Sequence, residues 1–180
     1  SFFKKEVIKD IFNIIKYHPT KGGYLDWPIV MACVSSGKIL IDSSKLLIYK
    51  NNNWFGDQQY IAKQVRDLYV KCGLGEEGVF YSSLMNALDS FILIMRKNSK
   101  IALDDKLDAA EFVLNSNVMR FINSAKTIYA DKYSTATKKE IDKLNIDSNI
   151  ENKLNCCLEI IASAYPELKS SYKVFYEKSI

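Results

Sequence analysis

Histidine is almost missing from this chain: His18 is the single one in 180 residues. Most protein-only catalytic sites rely on an imidazole, because it changes protonation state near neutrality. Its scarcity removes the commonest general base and a frequent zinc ligand together, and the reading assigns no metal and no cofactor. Glycine and proline are also few, at 7 and 3, so little interrupts a helix. No GxGxxG, P-loop or zincin motif occurs, and the common phosphate-cradling loops are lacking. The four cysteines, Cys33, Cys72, Cys156 and Cys157, have no CxxC spacing, and neighbouring cysteines on a helix point in different directions. They read as small buried thiols of an intracellular, reducing compartment. Apolar runs such as Phe91 to Met95 fall far short of the roughly 20 residues that span a bilayer. No secretory pattern opens the chain, although a signal removed ahead of Ser1 would leave no trace.

What is present is an ordinary globular balance, 48% hydrophobic and 26% charged, in a length that suits one domain with a sizeable core. The formal net charge is only +4, with acids and bases interleaved. The pI near 8.7 lies below the value of about 9 and above that marks many dedicated DNA-binding domains.

Apolar residues recur at helical spacing nearly throughout. Residues 2–17 place Phe3, Val7, Ile11, Phe12 and Ile15 on one face, with lysines opposite, as in an amphipathic helix that ends at His18-Pro19. Asp26-Trp27-Pro28 has the composition of a helix start and Gly37 that of a stop, which predicts a short buried helix over 29–36. Segment 38–50 is ambiguous between helical turns, which are favoured, and a short β-hairpin. Asp57 is positioned to cap a helix over 58–72. The most apolar stretch, 79–97, is greasy almost all round and is expected as the central helix. Residues 103–133 suit one long helix or two broken near Asn115-Ser116-Asn117. Thr137 with Glu140 and Ser148 with Glu151 have capping-box spacing, which predicts helix starts near Lys138 and Asn149. Pro166 then opens a last helix over 167–176. The expectation is an all-α, single-domain bundle of about seven or eight helices over 1–180, with at most a weak subdivision near 75–78.

Three classes of function are weighed on this frame. The preferred one is a non-catalytic interaction module of adaptor, effector or viral accessory type, binding a protein partner through exposed aromatics or an interhelical groove. Its candidate anchors are Trp54 and Phe55 in a polar loop, and Tyr172, Phe175 and Tyr176 near the end, since buried aromatics dominate interface energies. The alternative is binding of RNA or single-stranded nucleic acid by Lys63, Arg66, Lys71, Arg96, Lys97 and Lys100, if those helix ends converge. A carboxylate-dependent hydrolase is third, using Glu76 or Glu77 with Asp57 or Asp26. Glu76 and Glu77 equally suit the positive start of the helix that follows. No residue is assigned as catalytic, and His18 is expected to meet the terminal carbonyls of its own helix. The oligomeric state is not set by these features.

Overall fold

Ten of the fourteen side chains of one helix, Ser82–Met95, are buried, and the other elements pack around it. The computed structural model describes residues 5–20, 26–37 and 58–180, so the 38–50 alternative and Trp54, Phe55 and Asp57 lie outside the described residues. Within them the order is α1 (Lys5–Ile15), α2 (Asp26–Val34), α3 (Gln58–Lys71), a 3-10 helix (Glu76–Tyr81), α4 (Ser82–Met95), α5 (Leu103–Lys126), α6 (Thr135–Ile141), α7 (Ile150–Ala162) and α8 (Pro166–Ser179). The described residues contain no strand, and the all-α bundle of eight α-helices is as the periodicity predicts.

α4 packs against α2, α5, α7 and α8, while α1 lies on α2 and α8. The main core joins Ile11 and Ile15 of α1, Leu84, Leu88 and Leu93 of α4, Leu114 and Phe121 of α5, Ile160 of α7 and Phe175 of α8. Burying such side chains stabilises by about 1.5–3 kcal/mol each. The stretch Glu76–Met95 has the length and mean hydropathy of a membrane span, 20 residues at 1.4, yet 67% of its most apolar window is buried in the fold. Most of its apolar surface is covered by protein.

The central helix starts differently from the expected 79. Gly75 turns with φ of 65°, a left-handed value that costs glycine little. Gly78 then comes so close to α3 that an added Cβ would sit 2.9 Å from both Tyr69 Cδ1 and Leu74 Cβ. The chain tightens there into a 3-10 turn, and regular α-helix begins only at Ser82. α5 runs unbroken through Asn115-Ser116-Asn117, because these polar groups find partners from within a helix: Asn117 donates to the Val113 carbonyl at 3.0 Å and Asn115 accepts from Lys153 at 2.7 Å.

Two predicted caps move. Ser134, not Thr137, caps α6 by accepting the Thr137 N–H at 3.1 Å, and Asn149, not Ser148, caps α7 through the Asn152 N–H at 2.8 Å. Thr137 instead lies buried inside α6, where its hydroxyl meets those of Ser134 and Ser163.

Candidate functional site

The interior of the bundle holds an unusual set of polar side chains. Asp89, in the middle of α4, is completely buried, and its Oδ1 lies 3.0 Å from Nε2 of His18, itself 1% exposed. The other imidazole nitrogen, Nδ1, accepts the Thr20 backbone N–H at 3.3 Å and lies 3.0 Å from the Thr20 hydroxyl. Nε2 stands at ion-pair distance from the carboxylate without the alignment of a hydrogen bond. Phe175 packs edge-on against the ring at 5.2 Å. His18 therefore does not serve its own helix end as expected: the turn after α1 swings it inward to the one carboxylate on the α4 core face.

The network continues on both sides. Burial, reinforced by the adjacent Asp89 carboxylate, pushes the Tyr172 phenol well above its ordinary range. Burial likewise raises the Cys72 thiol, against a smaller lowering by the Thr20 side chain. A thiol so shifted is protonated near neutrality, and only the thiolate is nucleophilic. With a sealed imidazole and an un-ionised thiol, this assembly ties α3, α4, α8 and the 18–20 turn together.

A second polar knot lies at the far end of α4. The Arg96 guanidinium is 0% exposed and donates to the Leu93 carbonyl at 2.6 Å, the Ala32 carbonyl at 2.9 Å, and the Ser35 and Ser36 hydroxyls. Asp10 of α1 stands 3.7 Å from Nε. Burial lowers the guanidinium pKa, and Asp10 partly offsets that. Because the carbonyls at a helix C-terminus lack intrahelical donors, one planar fork satisfies the ends of α2 and α4 at once.

A further open feature is apolar. A groove of about 890 Å³ runs between α7 and α8, floored by Leu88, Phe91 and Ile92 of α4 and bordered by Leu107 of α5. Leu154 and Leu158 line its α7 wall, and Tyr172 and Tyr176 its α8 wall. Near the α7–α8 connection Lys169 and Glu159 pair across the two helices at 2.5 Å. Buried Lys153 fastens α7 to α5 through Asn115 and, at 3.4 Å, Glu111. One tie thus joins the two walls near their connection, and the other anchors the α7 wall to α5.

The expected site residues fall in different places. Tyr176 is 45% exposed on the groove rim, whereas Tyr172 and Phe175 are core residues. Tyr172 still offers part of its ring to the groove, but Phe175 offers a partner nothing. Arg96 is no surface cation, because its donors are spent on helix ends. Lys63, Arg66 and Lys71 are exposed on α3, and Lys97 and Lys100 are exposed beyond α4. They do not converge. Arg66 shares a smaller cleft of about 490 Å³ with Glu76, Val79, Phe80 and Lys132 at the N-terminal end of α4, while Lys97 and Lys100 follow its C-terminal end, about 20 Å away along the axis. Glu76 and Glu77 are exposed at the start of the 3-10 helix. All four cysteines are free thiols, and burial raises Cys157 to about 12. Among the described residues no three His, Cys, Asp or Glu side chains gather as a metal-ligand group.

The chain matches no protein-family model, no curated protein and no solved structure. Its function has to be argued from its own geometry.

Asp89 and Lys153 were missed as organising residues by reading along the chain. The signal existed in each case: a lone charge on the apolar side of a helix, with Leu88, Phe91 and Ile92 around Asp89.

Proposed function

We propose that this chain is a non-catalytic helical interaction module that receives an amphipathic helix of a partner protein in the groove between α7 and α8. One observation carries the reading: a long cleft of about 890 Å³ whose walls and floor are mainly Leu, Ile, Phe and Tyr. Its lining on α8 runs from Pro166 to Tyr176, about 15 Å, which matches two to three turns of a helix. Helix-in-groove recognition uses such a surface, with apolar anchors at i, i+3 or i+4, and i+7. A second copy is a poorer occupant, because a concave patch does not fill itself in a two-fold contact. The free thiols suit a reducing compartment. The nucleic-acid alternative draws less support, since its cations are split between the two ends of α4.

The test is a titration of a fluorescent amphipathic helical peptide of about fifteen residues, followed by anisotropy. Saturable binding is expected, lost in Tyr176→Glu and Leu107→Glu, both on exposed rim positions, and retained in Lys63→Glu. Absence of saturable binding, or self-association of the protein that Tyr176→Glu abolishes, would refute the proposal.

A further inference from the structure

The chemistry of the groove rims narrows the partner. Glu151 stands exposed on the α7 wall, and Lys173 stands exposed on the α8 wall. Neither makes an ion pair among the described residues, whereas the remaining rim lysine, Lys169, is already held by Glu159. The groove therefore presents one unpaired carboxylate and one unpaired ammonium on opposite sides of an apolar floor.

Resting on the groove reading above, we infer that the bound helix has flanks of opposite charge: a cation beside its apolar face toward α7, and a carboxylate on the other side toward α8. Two walls of one sign would select a partner of uniform opposite charge. Walls of opposite sign penalise either uniform choice, because each places a like charge against one rim. Reversing a helix in the groove exchanges its flanks, so these two residues also set the direction in which the helix lies.

Four peptides with one apolar face separate the possibilities: flanks acidic and basic, both acidic, both basic, or both neutral. The mixed peptide should bind roughly three- to ten-fold more tightly than either uniform one, the range expected of exposed ion pairs, and the margin should shrink as salt rises. In Lys173→Glu both walls become acidic, and the doubly basic peptide should become the best ligand. In Glu151→Lys the doubly acidic peptide should take that place. Equal binding of all four, or a preference unmoved by these substitutions, would discard the charge rule and leave the groove standing. Failure of all four to bind would discard both.

Discussion

His18, Asp89 and Arg96 are sealed from water, while Leu107 and Tyr176 remain 44% and 45% exposed beside the groove. The centre of the bundle thus holds polar groups where apolar ones would pack, and the α7–α8 face leaves apolar groups where polar ones would be solvated. The two inversions differ in kind. Arg96 joins the C-terminal ends of α2 and α4, and His18 faces Asp89 of α4, so the interior polarity is engaged in fixing geometry. Nothing among the described residues fills the groove. Buried polar groups that tie elements together fix a fold, and uncovered apolar surface marks where something else is to bind.

Breaking the interior should have the largest consequences. Arg96→Ala removes the buried guanidinium that the Ala32 and Leu93 carbonyls and two serine hydroxyls share, and with its four charge-assisted bonds lost should cost about 3–5 kcal/mol in urea unfolding. Arg96→Lys should recover little of it, since an ammonium does not reproduce the planar fork. Asp89→Ala removes the carboxylate that faces His18 and Tyr172, and should cost about 2–4 kcal/mol. Tyr172→Phe should change stability by no more than about 1 kcal/mol, because the phenol oxygen has no aligned hydrogen-bond partner, while leaving the groove wall in place. If Asp89→Ala were neutral, the interior pair would not be an organising feature.

Alkaline pH sharpens the comparison more gently. Tyr165 donates to the Leu74 carbonyl at 2.8 Å and Tyr133 to the Phe80 carbonyl at 3.0 Å, bonds that only the protonated phenol makes. Burial, with smaller contributions from nearby Tyr81 and acids, raises Tyr165 to about 12, and Tyr133 is raised further. In the unfolded chain these groups ionise near 10. The folded state keeps protons there that the unfolded state releases, so this stabilisation is full below about pH 10 and is lost on rising toward 12. Denaturant midpoints measured from pH 8 to 12 should fall in that window, and less steeply in Tyr133→Phe.

The groove should respond oppositely to the interior. Tyr176→Glu on its exposed rim should change stability by no more than about 0.5 kcal/mol, yet abolish peptide capture. A large loss of stability would mean that Tyr176 belongs to the core and that the groove is not a free surface.

The helices themselves were legible because an apolar stripe of period 3.6 is written into each segment, most plainly in Leu84, Leu88 and Phe91. Their ends were less so. Thr137 and Ser148 have the right spacing to cap, but Ser134 and Asn149 reach the orphan N–H groups first, and that choice depends on backbone direction at each start. Tyr172 and Phe175 are aromatic in the same way as Tyr176, and only the docking of α8 on α1, α4 and α7 decides which of them reaches solvent. The pairing of His18 with Asp89 and the groove itself join segments far apart in the chain, and local pattern carries no record of such meetings. Asp89 could have been flagged, since a carboxylate in the middle of an apolar helix needs a partner.

The most direct test is amide chemical-shift mapping of the labelled chain with the mixed-charge amphipathic peptide. Shifts concentrated at Leu107, Ile150, Leu154, Lys173 and Tyr176, with the His18 and Arg96 surroundings unmoved, are the expected result. Shifts centred on α3, or spread evenly over the bundle, would contradict the account.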